Sequence, residues 1–278
     1  MVHEPKIIWD MGSAYDLFVS LRILHQPEAY GLRPSWAAGV RSRLPIPLRD
    51  VLEHSQQFMT VPLCFIYSLP DPKDAAAALT ALKALPPEDR LPALIFSVRS
   101  AASQQDYQQF LLSLEGKQRL TASVERVIKD NYRPASGATK QTIRALFNAW
   151  SDRKVFGQKF YDALEAYVEN FYQEEELRII PAQEAALEQA KTLAEDNDVL
   201  TVLEQLSSGV RMDWISGLST VILAPSFWAA PFVIFNQLDE ENGIVLFGAR
   251  PEGMALVPGD LVPEDLLNAL KALADPTR

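Results

Sequence analysis

The stretch TVILAPSFWAAPFVIFNQLDEENGIVLFG, residues 220–248, decides the fold that the sequence predicts. It contains three short runs of β-branched and aromatic residues, at 220–223, 232–235 and 244–247, bounded by proline, asparagine and glycine. Such runs are typical of β-strands. The last two runs flank the polar segment NQLDEENG, so we expect an antiparallel hairpin or a three-stranded meander within residues 218–250.

The residues before this stretch follow a helical period instead. Ile143, Leu146, Phe147 and Trp150 recur at the spacing of one helix face, and similar spacing continues to about residue 171. Pro181 is then expected to open a further helix whose pattern runs to about residue 207. The sequence therefore predicts a mainly α fold, a helical body with a small antiparallel β-sheet or hairpin near residues 218–250.

Proline and glycine also suggest where the chain divides. The clearest internal seam is Pro134-Ala-Ser-Gly137, which separates two helical regions. We expect a helical lobe at residues 1–135 and a second helical lobe with the small sheet at 136–262. The two lobes could equally form one domain. A further domain would begin at residues 263–278.

Composition limits the classes of function. The chain has 278 residues, of which 48% are hydrophobic and 22% charged, the balance of a soluble globular protein. Its formal net charge of −10 makes the chain as a whole a poor ligand for nucleic acid. The sequence has no bilayer-spanning apolar run and no secretory signal pattern, which predicts a cytoplasmic protein with no membrane partner. A single cysteine excludes an internal disulfide.

The sequence contains no motif that predicts a metal site, a phosphate-binding loop or an acid–base pair. His3, His25, His54 and Cys64 have none of the spacings typical of metal ligands, so we predict no metal and no cofactor. SGATKQT, residues 136–142, lacks the second glycine of a phosphate-binding loop and is better explained as a linker and a helix cap. The acidic runs at 174–176 and 239–241 are most simply solvated faces or turns.

Nucleophilic catalysis has little support either. Ser226 lies in no GxSxG motif, and no histidine follows it in the second half of the sequence. We therefore predict no catalytic residue. Near the N-terminus, WDMGSAYD contains Asp10 and Asp16 around a Gly-Ser helix start, and helix capping is the simplest explanation of both.

The loop PSFWAAPF is unusually aromatic for a connection between strands. Phe227, Trp228 and Phe232 lie within it or at its end, and Trp214 lies a few residues before the first strand. These four residues could fill the core between sheet and helices or form a dimer interface. They could alternatively line an apolar pocket for an organic effector.

The sequence ends with LVPEDLLNALKALADPTR, residues 261–278. Pro263 suits a first helical turn, and the leucines up to Leu270 and Leu273 recur at helical spacing. Asp275 followed by Pro276 ends that helix and is also a good start for another. A second helix is therefore predicted to begin at the last residues of the sequence.

This ending resembles the opening of the winged helix-turn-helix domain of the arsenical-resistance repressor (ArsR) family. The similar residues are Leu270, Leu273, Ala274, Asp275, Pro276, Thr277 and Arg278. The segments WDMGSAYDLFVSL and PSFWAAPF are similar to the large N-terminal domain of some regulators in this family. The resemblance implies the regulatory and dimerisation region of a bacterial transcription regulator.

In that reading the chain is a homodimer and contacts DNA through a domain that continues beyond Arg278. The recognition helix and wing would also follow that residue, and no metal ligands of the family can be carried over to this sequence. Two other classes stay open. The chain could be a small-molecule-binding or interaction module without a DNA reader, or an enzyme whose active site is assembled from distant positions.

Overall fold

A computed structural model describes residues 4–96, 102–132 and 139–257 of the chain. These residues are mainly helical and include one small sheet, which confirms the predicted fold class. The helices are α1 (Ser13–His25), α2 (Pro34–Arg41), α3 (Ile46–Ser55), α4 (Leu63–Tyr67), α5 (Ala75–Ala84), α6 (Pro87–Ile95), α7 (Ala102–Leu112), α8 (Ala122–Asn131), α9 (Lys140–Ser151), α10 (Arg153–Tyr167), α11 (Gln173–Glu195) and α12 (Val199–Leu206).

The sheet has four strands in the order β1-β2-β4-β3. The strands are β1 (Lys6–Trp9), β2 (Thr220–Ser226), β3 (Ile234–Gln237) and β4 (Asn242–Gly248). The antiparallel hairpin is confirmed, because β3 pairs antiparallel with β4. The meander alternative is wrong, because β2 pairs parallel with β4, and an unexpected strand, β1, pairs parallel with β2. The sheet is therefore mixed.

Both faces of the two central strands are buried. Ile222, Ala224, Ile244 and Leu246 face the larger core, which the helical body provides. The alternate residues of β2 and β4 face a smaller core formed with α11, α12 and the 3₁₀ turn Asp213–Gly217. Strands that are buried on both faces have continuous apolar runs instead of alternating apolar and polar residues. This explains the sequence pattern of β2 and β4.

The turn between β3 and β4 is fixed by one acidic side chain. The Asp239 carboxylate accepts hydrogen bonds from the backbone N–H groups of Glu241 and Asn242, both at 2.9 Å. The Asn242 side-chain amide donates to the same carboxylate. The acidic run at 239–241 is therefore a turn, as predicted.

The helix expected to begin at Pro181 begins earlier. A π-helical turn, Val168–Tyr172, joins α10 to α11, so helical backbone continues from 153 to 195 and Pro181 lies inside α11. A proline there removes its own hydrogen bond to the carbonyl four residues before, and its ring crowds that carbonyl. Burial of Ile179, Gln183 and Leu187 on one side of α11 offsets that loss.

The larger core draws residues from both predicted lobes, from Ala14 to Leu256. The seam at Pro134–Gly137 and the start of the further domain, from Pro263 through the Leu270–Arg278 segment, lie outside the described residues. In the part of the chain that the structure describes, no helix is long and apolar enough to cross a membrane.

Candidate functional site

The aromatic loop after β2 turns inward rather than lining an open pocket. Phe227 and Trp228 both have a relative exposure of 0%. The Trp228 ring stacks on Trp36 of α2 with centroids 5.8 Å apart, and it meets Phe171 edge-on at 6.3 Å. These two predicted residues therefore fill the core between the sheet and the helices.

The other two aromatic residues lie elsewhere. Phe232 is 47% exposed and meets the ring of Tyr30 edge-on, with centroids 5.5 Å apart. Trp214 packs on the opposite face of the sheet, with its ring 5.3 Å from that of Phe235. The structure therefore brings Phe227 and Trp228 together and separates both from Trp214 and from the exposed Phe232.

A buried carboxylate, Asp16 of α1, holds the start of the aromatic loop. Its Oδ1 accepts from the Ser226 hydroxyl at 2.5 Å and from the Trp228 backbone N–H at 2.9 Å. Its Oδ2 accepts from the Phe227 N–H and from the Gln183 side-chain amide, both at 2.7 Å. Asp16 is completely buried, and all four of these donors are uncharged.

Two opposing effects act on this carboxyl. Burial raises the pKa of Asp16, because the ionised form loses its hydration, and the resulting pKa is about 6. The four hydrogen bonds favour the ionised form and lower the pKa, but by less than burial raises it. Asp16 consequently has the folded-state pKa of a group that titrates in mildly acidic solution.

The local sequence explains how Ser226 and Asp16 meet. Ser226 is the last residue of β2, and its hydroxyl also accepts from the Ala229 N–H at 3.1 Å, which starts a tight turn. Asp16 lies in the first turn of α1, where the helix N-terminus favours a negative charge. The capping prediction was wrong, because the cap position is Gly12 and no side chain caps this helix.

A second carboxylate, Asp10, follows β1 at the same edge of the sheet. Lys73 donates to both of its oxygens at 2.8 Å, and the Tyr15 hydroxyl donates at 2.6 Å. The Lys73 ammonium also lies 4.5 Å from the centre of the Tyr67 ring. A side chain at Gly12 would lie only 2.4 Å from Lys73, so glycine permits this close approach.

The acidic run at 174–176 is not a solvated face throughout. Glu176 accepts from the Ser13 hydroxyl at 2.5 Å and from the Ala75 N–H at 2.9 Å, which ties α11 to the starts of α1 and α5. Glu175 is buried and forms an ion pair with Arg178 at 2.5 Å. The prediction fails for these two because α11 packs them against other elements, which periodicity alone cannot reveal.

Arg178 connects this region with the last described residues. Its guanidinium donates to the Leu256 carbonyl at 2.9 Å and lies 4.7 Å from the centre of the Phe227 ring. The same side chain therefore contacts α11, the aromatic loop and the segment that follows β4. This cluster of Asp16, Ser226, Phe227 and Arg178 is named the loop anchor below.

Chemically, the loop anchor is suited to holding backbone rather than to reacting. Ser226 is completely buried, and its hydroxyl donates to the carboxylate of Asp16, which is also completely buried, so neither group is exposed to a substrate. Within the described ranges, no group of three or more His, Cys, Asp or Glu side chains is placed to hold a metal. In SGATKQT, Thr139 caps α9 by accepting from the Thr142 N–H at 3.1 Å.

Sequence patterns missed the loop anchor, although one signal was available. Residues 13–21 of α1 are buried on all sides, as the apolar AYDLFVSL segment allows. A carboxylate inside such a helix requires hydrogen-bond donors from other elements. Comparison with known proteins adds no relative, since no family model, curated protein or solved structure matches the chain.

Proposed function

We propose that the chain is the regulatory and dimerisation region of a bacterial ArsR-like DNA-binding transcription regulator. In this proposal, residues 263–278 begin a winged helix-turn-helix domain that continues beyond Arg278. The similarity of residues 270–278 to the opening of such a domain provides the family assignment. The proposed homodimer rests on the same resemblance.

One structural observation carries the proposal. The segment after β4 is attached to the helical body at Leu256 and Val257, a few residues before the proposed DNA-binding region begins. Leu256 and Val257 are buried, and Arg178 of α11 donates to the Leu256 carbonyl. An attachment of this kind is what a regulatory body needs, because a change in the body can then alter the position of the domain that follows.

The aromatic loop offers a connection between that attachment and the interior. The Phe227 ring lies under Arg178, and the Phe227 N–H is bound by Asp16. A rearrangement of the loop would therefore act on the contact that holds Leu256. Such coupling requires an effector with different affinities for two arrangements of the body.

The net charge of the chain also supports a regulatory body that leaves DNA binding to a separate domain. With a net charge of −10, the body repels the DNA backbone, so binding would depend on a basic domain. In a homodimer, the packing of two acidic bodies would set the distance between two DNA readers. That distance determines which half-site spacing the dimer fits.

The test is a DNA selection with the product of the complete reading frame that encodes this chain. We expect this product to select a duplex from a random library and to migrate in size-exclusion chromatography with light scattering as a dimer. Its affinity for the selected duplex should fall steeply as salt increases from 50 to about 200 mM, because phosphate contacts release counterions.

The matched control is the 278-residue chain, which should remain folded but select no duplex because the recognition helix and wing are missing. A folded reading-frame product that selects no duplex would refute the proposal. Selection by the 278-residue chain would also refute it, since the acidic body would then carry the DNA-binding activity itself.

A further inference from the structure

A cleft lies beside the free edge of the sheet, next to the exposed end of the aromatic loop. Its walls come from α1, the 3₁₀ turn Pro27–Tyr30, the segment before α4 and the edge strand β3. Its volume is about 250 Å³. A cavity of about 150 Å³ is large enough for benzene, so this cleft has room for one ring with a small substituent.

Arg22 supplies the only charge among the described residues of this lining. Its guanidinium has five N–H donors. Among the described residues, its hydrogen-bond acceptor is the Met59 carbonyl, at the long distance of 3.4 Å. Arg22 belongs to the last turn of α1, where the helix end favours a cation. Most of its donor capacity therefore remains for an anion in the cleft.

The remaining lining fits a small anion with an apolar group. Tyr30, Thr60 and Asn236 provide neutral polar groups around Arg22, and Leu63 and Ile234 belong to the apolar part of the wall. Although the chain has a net charge of −10, the described lining contains no acidic residue. The local charge is therefore opposite to that of the whole chain and is complementary to an anion.

The presence of one guanidinium in the described lining favours a carboxylate over a phosphate. A planar carboxylate can accept two parallel hydrogen bonds from a single guanidinium, whereas a phosphate site usually adds further cations or a helix N-terminus. An extended peptide fits less well, because β3 has only four residues and the cleft is small. We propose that this cleft binds a small organic carboxylate, with Arg22 on the carboxylate and Ile234 beside the apolar group.

The cleft adjoins one of the residues that were predicted to line an effector pocket. Phe232, which was predicted for an effector pocket, contacts Tyr30 of the cleft wall rather than lining the cleft itself. A ligand against Tyr30 would thus touch a neighbour of the aromatic loop. Binding itself is a property of this chain alone and does not depend on DNA binding, so the two proposals can fail separately.

The test uses benzoate and its neutral isostere benzamide as probes in NMR titrations of the ¹⁵N-labelled chain. We expect benzoate to shift the amide signals of residues 60 and 234–236 and to bind at least about tenfold more tightly than benzamide. Arg22→Met should weaken benzoate binding by at least about tenfold and leave benzamide binding unchanged. Arg22→Lys should give an intermediate value, because lysine offers no planar pair of donors.

Arg41→Met is the matched control, because Arg41 is a half-buried arginine in the last turn of α2 and lies outside the cleft lining. It should bind benzoate like the unmodified chain. Ile234→Ala keeps the arginine and shortens a half-buried side chain of the edge strand, so the fold should tolerate it. This variant should bind acetate normally and benzoate more weakly.

Equal affinity for benzoate and benzamide would overturn the proposal, and so would unchanged benzoate binding by a folded Arg22→Met chain. Binding only by extended peptides with a free terminal carboxylate would also overturn it, in favour of strand addition at β3.

Discussion

Asp10 and Asp16 are six residues apart, yet the structure stabilises their carboxylates in two different ways. Asp10 forms an ion pair with Lys73 and accepts from a tyrosine, and about 10% of its side chain is exposed. Asp16 is completely buried and accepts only from uncharged groups of β2, the aromatic loop and α11. Both lie at the edge of the sheet where the parallel strands β1 and β2 end.

The difference shows that the hydrogen-bond partners of a buried carboxylate determine its structural role. A lysine provides compact charge compensation, and Lys73 joins the end of β1 to the start of α5. Several backbone N–H groups converging on one carboxylate fix a loop conformation instead, as happens at Phe227 and Trp228. Asp16 should therefore matter more for stability than Asp10, although it has no ionic partner.

The largest expected effect is that of Asp16→Ala. Four buried donors would lose their acceptor, so the free energy of unfolding should fall by roughly 3–5 kcal/mol. Urea unfolding at pH 7, followed by tryptophan fluorescence, measures it. Asp162→Ala removes an exposed helical aspartate with one side-chain hydrogen bond and should change stability by less than about 0.5 kcal/mol. A similar loss of unfolding free energy in both variants would contradict the prediction that Asp16 is especially important for stability.

A somewhat smaller effect is expected for Lys73→Met, which leaves the Asp10 carboxylate nearly buried without its cation. The free energy of unfolding should fall by about 2–4 kcal/mol. The double variant Asp10→Asn/Lys73→Met should recover part of that loss, because neither charge is then left unpaired. Losses that simply add in the double variant would show that the ion pair contributes no coupling.

The sequence predicted the parts of the fold that depend on local chemistry. The runs at 220–223 and 244–247 became strands because apolar β-branched residues suit a sheet buried on both faces. The strand near 232–235 is instead the mostly exposed edge strand Ile234–Gln237, and Asp239 closes its hairpin turn. The segment SGATKQT supplies a helix cap as predicted, through Thr139 at the start of α9. The parallel pairing of β1 with β2 could not be derived in the same way, because the partners Ile7 and Val221 are separated by most of the chain.

The candidate site was less accessible to sequence reasoning. The aromatic loop was recognised from Phe227 and Trp228, but its anchor Asp16 was interpreted as a cap because only its local neighbours were considered. Gln183, whose side-chain amide donates to Asp16, lies in a helix whose start was misplaced at Pro181. Arg22 and Asn236 both line the cleft beside β3, and no local sequence pattern indicates that these two residues lie close together.

The smallest expected effect is the pH dependence of stability that the Asp16 carboxyl contributes. Its folded-state pKa of about 6 lies above the ordinary carboxyl value of 3.8, so the folded protein binds the proton more tightly than the unfolded chain. The associated stability is fully present below about pH 4 and is lost as pH rises through about 6. Between pH 5 and pH 7 the loss should be about 1 kcal/mol.

Asp16→Asn isolates this contribution, because the amide cannot titrate while other carboxyls are unchanged. The stability difference between the unmodified chain and Asp16→Asn should therefore be larger at pH 5 than at pH 7, as measured by urea unfolding at both values. Asp162→Asn should show no such change. A difference that instead grows with pH would mean that the four donors outweigh burial, so that Asp16 remains ionised in acid and its contrast with Asp10 is one of geometry alone.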